Sequence, residues 1–486
     1  MESRSIGTAG PTTRSTVRVR RWVPALVRTE PILFALALVA AIAYSLYAIW
    51  EHNHFQTDFD LAIADQAVWH YSHLTSPEIT TINPPVSMLG DHFSPILILL
   101  APLYWVWSDP RMLLIAQGVL IAASVVPVFL FAQPRMGRTG AYLLAAAYSL
   151  FWGISAAVGY QFHELAFSPL LIALCILFAD RREWTAYFVS LAFLLLVKEN
   201  MSVLAIFIGL WLISGREFRR GAITIGIGFA WYFLAVNVLL PAFAGHAYTH
   251  WTYSDLGPDA PGAVKGVILH PDLPFRLLFD EHTKRETLLL LVVPFLGLIF
   301  GSRLIILCIP LVAQQLFSNY PAQWGTDFHY WLPIAPVLAM GAADGFHNII
   351  RRLRREQYLA LAGALVAAVM LAVNVGLAHR FPLWRLVQPG FSLSPTATDR
   401  AAERALAEVP GNASATIPAP QLPHMSDRSQ IHLLGYPSPA TGYVVFEPAA
   451  LGWPDPVYER QWLDQHRGAY DRIYNRDGWV VWKRRA

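Results

Sequence analysis

PILFALALVAAIAYSLYAIW, residues 31–50, runs without a charge for the length an α-helix needs to cross the hydrocarbon core of a bilayer. Ahead of it stand Arg4, Arg14, Arg18, Arg20, Arg21 and Arg28, so residues 1–30 read as a basic cytoplasmic tail and 31–50 as the first transmembrane helix. Arg20-Arg21 resembles a twin-arginine export signal. The run nevertheless closes on bulky Tyr47, Ile49 and Trp50 rather than a small-x-small site, which predicts an uncleaved anchor.

The whole chain agrees with that reading. Of 486 residues, 55% are hydrophobic and 14% charged, against about 25% charged in an ordinary soluble domain, so lipid is the solvent for much of the surface. The 36 basic and 33 acidic residues nearly balance, leaving a net charge of +3 and no electrostatic footprint for a nucleic acid. The two cysteines, Cys175 and Cys308, lie inside the apolar runs LLIALCILF and LIILCIPLV and read as small core residues.

Further spans are predicted near 112–131, 141–160, 166–179, 184–197, 201–214, 221–240, 287–300, 304–317, 331–348 and 357–376, about eleven with the first. Residues 95–107 (PILILLAPLYWVW) are apolar but too few to cross. Charge agrees: if that stretch does not cross, the expected cytoplasmic segments hold 18 Lys and Arg and the outer loops six, whereas a crossing would give 12 and 12 and erase the bias that orients such proteins. The loops 51–111, 241–286 and 318–330 then lie outside, together with everything after about residue 377. The tail, 377–486, turns rich in Pro, Asp and Arg, with a helical stretch at 397–408 and strand-like runs at 431–434, 443–446 and 478–482, separated by loops at 418–423 and 436–439. The expected architecture is an all-α polytopic transmembrane domain over 31–376 with a small extracytoplasmic α/β domain behind it.

On this topology the unusual polar residues collect on one side. Asp58, Asp60 and Asp65, with Gln66, follow the first span in a stretch whose apolar residues recur at near-helical spacing, as in an amphipathic helix lying on the outer surface. Its carboxylates suit capping, metal binding or general-base work, or simply face water. Gly90-Asp91-His92 pairs a carboxylate with an imidazole. Gln161-Phe162-His163-Glu164 occupies a short loop, and Asp327-Phe328-His329-Tyr330 precedes a span. Lys198-Glu199-Asn200 is the most telling, because it interrupts the apolar stretch 184–214; buried ions at that depth face a polar cavity or neutralise one another in a hairpin. Asp60, His92, His163, Glu164, Lys198 and His329 can all face one outer cavity, the pattern of a site for an anionic ligand.

The runs FDLAIADQAVW (59–69), GDHFSPILILLAPLY (90–104), FHE (162–164), VKEN (197–200), FHYWLPIAP (328–336) and LPHMSDR (422–428) resemble a family of bacterial predicted membrane proteins that groups with the GT-C glycosyltransferases. The resemblance implies a GT-C-like fold, a polyprenyl-phosphate-linked sugar as donor, a catalytic carboxylate in the first outer loop and a soluble C-terminal domain on the same side. Carried over by position, the family's Asp-Leu pair falls on Asp60-Leu61, making Asp60 the first choice for base or metal ligand. Asp58 departs from the pattern, although GT-C enzymes often carry paired acids there. His424 and Arg428 match the pattern without an evident role.

The implied chemistry is glycosyl transfer to a cell-envelope acceptor at the bacterial plasma membrane. Asp60, with Asp58, is the catalytic choice. Asp65, Gln66, Asp91, His92, His163, Glu164, Lys198, Glu199 and His329 are the expected substrate contacts. Lys198, His163 and His92 would supply positive charge to a departing phosphate, and Mg²⁺ or Mn²⁺ on Asp58 and Asp60 is an optional further device. The loop 241–286, with His246, His250, Trp251, Tyr253 and Asp255, covers the cavity, selects an acceptor or packs on the tail domain. Two other functions fit the residues: a transporter or flippase of a lipid-linked sugar or other anion, and a non-catalytic envelope assembly protein.

Overall fold

A computed structural model describes residues 30–435, 438–452 and 455–485. The basic tail with its Arg20-Arg21 pair, and half of the 436–439 loop, lie outside the described residues. Helix α1 (Pro31–Asn53) opens with Pro at its first position, where a missing N–H costs nothing. Helices α2 (Phe59–Ser72), α3 (Arg111–Ala123) and α4 (Val125–Ser149) follow.

Gly137 interrupts α4 at φ 75°, ψ 167°, a conformation that favours glycine, and the chain reverses there. Partners of α1 reveal the reversal. Glu30, at its start, meets Gln133 at 3.4 Å and Arg138 at 3.0 Å on either side of the break, whereas Tyr44, nearer its end, donates to the carbonyl of Ser149 at 2.6 Å. One continuous assignment thus holds two antiparallel segments, corresponding to the expected spans at 112–131 and 141–160.

Next come α5 (Ser168–Asp180), α6 (Trp184–Leu195), α7 (Met201–Ser214) and α8 (Phe218–Leu234), the last continuing through a π-helical turn to Ala244. They are followed by α9 (His282–Val292), α10 (Ile305–Leu316), α11 (Ala335–Arg352) and α12 (Leu359–Ala378). Among the described residues, four helical stretches are long and apolar enough to cross a membrane: Pro31–Asn53, Arg111–Ser149, Phe218–Ala244 and Glu356–Ala378. Elsewhere α7 has the predicted bounds and α11 the predicted length of 18 residues, whereas α6 and α10, at 12 residues each, are shorter than the sequence predicts. The expected span at 287–300 breaks after α9, where Leu296 and Gly297 both take positive φ. Residues 95–104 form a 3₁₀ segment and one α-turn, about 15–20 Å long and too short to cross. Trp105, just beyond, donates to Ser72 of α2 at 2.8 Å, returning the chain to the helix it left.

Charged residues from separate loops gather at one end of the bundle. Arg135 contacts Asp180 at 2.5 Å and Asp344 at 3.3 Å, Arg182 contacts Glu217 at 3.0 Å, and Arg303 donates to the carbonyl of Ser214 at 2.7 Å. The short helices α5 and α7 end there, and both begin beside the cavity described below, roughly 20 Å away at 1.5 Å per residue.

The C-terminal domain carries a five-stranded mixed sheet. After the two-residue strands β1 (Glu78–Ile79) and β2 (Val86–Ser87), its strands are β3 (Ala415–Ile417), β4 (Ile431–Leu433), β5 (Tyr443–Phe446), β6 (Tyr470–Arg476) and β7 (Trp479–Arg484), in the order β4-β3-β5-β7-β6. Helix α13 (Ala397–Leu406) starts in a capping box between Thr396 and Asp399 and shares a core with Val445 and Val481, whereas α14 (Pro456–His466) packs Trp462 and Leu463 on the opposite face of the sheet with Val444, Phe446 and Val480. The predicted helix and three predicted strands are present. Strand β3 is only three residues long, β6 is mostly exposed and charged, and the Pro-rich 418–423 segment coils into a 3₁₀ turn rather than an open loop.

Helix α2 is not an exposed surface helix. The tail domain covers it, so Ala62 sits in that domain's own apolar core with Phe55 and Phe59 packed against it. Gln66 donates to Thr80 and to the carbonyl of Arg428, both at 2.9 Å, and Thr80 bonds both backbone groups of Ile431.

Candidate functional site

Between the start of α2 and the starts of α5 and α7 lies a cavity of about 410 Å³. Of the eleven residues singled out in the sequence, it is lined by Asp60, Asp91, His92, His163, Glu164, Lys198, Glu199 and His329. Asp58, Asp65 and Gln66 do not line it.

The Lys198-Glu199-Asn200 turn is not a self-neutralising hairpin. Lys198 Nζ lies 2.8 Å from Glu164 Oε1, while Glu199 turns the other way, accepting from the backbone N–H of Phe93 at 3.2 Å and contacting His92 Nδ1 at 3.2 Å. Asn200 donates to Gln314 at 3.2 Å. Each side chain therefore finds its partner on a different segment, and this satisfaction makes burial of the ions tolerable. Burial alone would raise the Glu164 carboxyl, but the Lys198 charge and hydrogen bond together with the nearby His163 and His92 outweigh it and hold the group at about 2.

Asp60 accepts from the Tyr160 hydroxyl at 2.9 Å and lies 3.7 Å from His163 Nε2. The His163 ring stacks on His329 with centroids 3.5 Å apart, and Tyr160 stacks on both. Burial lowers the pKa of both imidazoles, that of His329 well below its usual value. Burial thus works against the positive charge expected of His163.

The start of α2, where Asp60 sits, is held by a residue that sequence reading placed in the neighbouring loop without a role. Gln161 Oε1 accepts from the backbone N–H groups of Asp58 and Leu61, both at 3.0 Å, and its Nε2 donates to the Asp58 carboxylate. It caps α2 from outside the helix, and it does so at φ 67°, an uncommon conformation for a side chain of this size. Behind it, Gln117 of α3, 2% exposed, donates to the carbonyl of Gln161 at 2.7 Å and accepts from the N–H of His163 at 3.2 Å. A single Gln inside RMLLIAQGVLIAA was the available signal. Asp58, turned to Gln161, has its carboxyl raised by burial; it serves the helix start rather than the cavity.

Asp65 and Gln66 dock the tail domain. Asp65 is fully buried, accepting from Tyr104 and, at 2.7 Å, from Ser426 of the LPHMSDR segment, and burial raises its pKa to about 7. That segment is held by Arg428, which donates to the carbonyls of Met425, Pro410 and Ala413. His424 stacks between His52 and Phe55, with ring centroids 4.0 and 3.9 Å away.

The 245–259 loop covers the cavity instead of packing on the tail domain. Tyr248, His250, Thr252 and Tyr253 line it; Thr252 accepts from Ser318 at 2.9 Å, and Tyr253 donates to the carbonyl of Gln314 at 3.0 Å. His250 contacts Asp91 at 3.1 Å. Burial would raise the Asp91 carboxyl, but the His250 hydrogen bond and nearby charges hold it at about 2. The lining thus presents the carboxylates of Asp60, Asp91, Glu164 and Glu199 against one ammonium, Lys198. Carboxylates therefore outnumber ammonium groups on this wall.

Over 94% of its length the chain matches the crystal structure of ArnT from Cupriavidus metallidurans bound to undecaprenyl phosphate, covering 98% of that chain with a TM-score of 0.55 at 12% sequence identity. The apo state of the same protein matches over the same shares, with a TM-score of 0.50 at 12% identity. The oligosaccharyltransferase of Archaeoglobus fulgidus tethered with an acceptor peptide is a more distant likeness, with a TM-score of 0.41 at 10% identity over 95% of this chain and 75% of that one. No curated protein matches the sequence. At these identities the likeness to ArnT establishes the fold alone, which is that of the GT-C glycosyltransferases. The sequence itself matches the predicted membrane protein family DUF2079 over residues 51–481, and to that family the chain belongs.

Proposed function

We propose that this chain is an integral membrane glycosyltransferase, moving a sugar from a polyprenyl-phosphate donor to a cell-envelope acceptor at the outer face of the bacterial plasma membrane. The observation that carries the reading is the Asp60 carboxylate, held by Tyr160 at the wall of an ion-lined cavity, in a fold shared with a protein whose crystal structure holds undecaprenyl phosphate. Lys198 lines the same cavity. Asp60 takes the proton of the acceptor hydroxyl as that oxygen bonds to the anomeric carbon; the bond from that carbon to the phosphate oxygen breaks, and Lys198 meets the charge left on the phosphate.

The topology follows the charge. Arg135, Arg182, Arg303 and their neighbours gather at one end of the bundle, which supports reading that end as cytoplasmic, with the cavity and the tail domain outside and the N-terminus inside. Residues 31–376 form the transmembrane domain, with about eleven crossings, several made by short helices that reach only to the cavity, and 377–486 the extracytoplasmic domain.

Transfer of radiolabelled sugar from a panel of polyprenyl-phosphate donors by purified protein in lipid tests the reading. Wild type is expected to use at least one donor and Asp60→Asn to lose about 10²–10⁴ in rate with expression and melting temperature intact. Donor binding without transfer by the wild type overturns it.

A further inference from the structure

The cavity wall holds a second chemical feature, away from Asp60. Asp91 and His92 close the short helix Met88–Asp91, and His250 comes from the covering loop. Gly90 joins the two segments: a Cβ there would fall 2.6 Å from the backbone N of Ala244, so only glycine lets the Met88–Asp91 turn press against the end of the α8 extension that leads into the loop. The consequence is a cluster. One ligand atom from each of Asp91, His92 and His250 lies within 4.8 Å of the others, and the His92 and His250 rings sit 4.3 Å apart.

Three details suit this cluster to a metal ion. His250 Nε2 and Asp91 Oδ1 are 3.1 Å apart, close to the edge of about 3.3 Å in a tetrahedron with metal bonds of roughly 2.0–2.1 Å. His92 Nδ1 is held at 3.2 Å by Glu199, itself 3% exposed; a carboxylate behind the ring fixes its tautomer and orientation, as carboxylates do behind metal-bound histidines. The lining also carries four carboxylates against one lysine, an excess of negative charge that a divalent cation relieves.

We propose that Asp91, His92 and His250 bind one divalent transition-metal ion of the zinc type, with Glu199 as the positioning residue behind His92. The donor set of two imidazoles and one carboxylate favours zinc over magnesium or calcium, which prefer all-oxygen sites. Three protein ligands leave a fourth position open, and it faces the cavity. On the glycosyltransferase reading, which this last step alone rests on, that position takes a phosphate oxygen of the donor and answers how an acidic wall accepts an anion.

The test needs no activity. Full-length protein is purified in detergent, stripped with a chelator and titrated with Zn²⁺ or Co²⁺ alone. The expected result is about one equivalent per chain, visible d–d bands in the Co²⁺ form of an N/O site of low coordination number, and a Zn²⁺-dependent rise in melting temperature. His250→Ala and Asp91→Asn should each lower affinity at least tenfold, and Glu199→Gln by about 10–100-fold with the metal-free melting temperature unchanged. Wild type that binds no Zn²⁺ at one equivalent overturns the proposal, as does equal binding by His250→Ala. Protein that binds Zn²⁺ at this site yet transfers no sugar leaves the site standing and removes the donor reading.

Discussion

Lys198 Nζ and Glu164 Oε1 lie 2.8 Å apart at the cavity wall, their side chains 14% and 6% exposed, and the pair ties the turn before α7 to the turn before α5. Two charges this deep are stable only together. Lys198→Met should therefore destabilise the protein by about 3–5 kcal/mol, because it strands the Glu164 carboxylate. The double variant Lys198→Met with Glu164→Gln should regain most of that loss in a thermal melt while remaining inactive in sugar transfer. Recovery of transfer by the double variant would show that Lys198 serves the fold alone.

Asp65 gives the tail docking one arm of a pH dependence. Burial raises its folded pKa from 3.8 to about 7. Between those values the folded state keeps a proton that the unfolded chain has released, so stability falls as pH rises through that window and the loss is complete above it. Asp65→Asn mimics the protonated acid toward Tyr104 and Ser426 and should flatten that arm. Melting temperature measured from pH 4 to 8 checks it; an unchanged slope in the variant would assign the dependence elsewhere.

His424 supplies the opposite arm. Burial, reinforced by His52 and Arg111, holds its folded pKa well below 6.5. Below pH 6.5 the unfolded chain takes up a proton that the folded state refuses, so stability falls as pH drops. His424→Phe keeps an aromatic ring against His52 and Phe55 and should extend tail docking to lower pH. Limited proteolysis between the transmembrane and tail domains at pH 5 and pH 7 reads this directly, with faster cleavage of wild type at pH 5 that the variant lacks.

Gln161 positions the catalytic candidate through backbone contacts. Gln161→Ala removes the acceptor for two N–H groups at the start of α2, of which that of Leu61 is buried, costing about 1–3 kcal/mol for each group left without a partner. The substitution should also lower kcat for sugar transfer with little change in KM, since Asp60 shifts while the donor contacts remain. An equal change in both constants would mean that Gln161 touches the donor.

The eleven apolar runs, the outlying charge clusters and the tail's change of composition were all legible in the sequence, because hydrophobic length, charge and turn chemistry are local. Lys198 announced itself for the same reason: an ion between two apolar segments has no local solvent. Its partner did not, since Glu164 lies 34 residues away and nothing in either neighbourhood names the other. Asp65 and Gln66 read as site residues because a carboxylate and an amide in an outer loop suit a ligand, and only the tail domain closing over α2 turned them inward.

The sequence by itself determined the solvent of this protein, its apolar runs and the residue types available for chemistry, since these follow from side-chain hydration and spacing along the chain. Only the tertiary structure decided which polar groups share a cavity. That a loop brings His250 onto Asp91, that Gln161 caps a helix 100 residues before it, and that Glu199 turns to His92 instead of to Lys198 depend on where separate segments come to rest. Buried charges and amides are stable only beside a partner, and the partner is chosen by the packing of the whole chain.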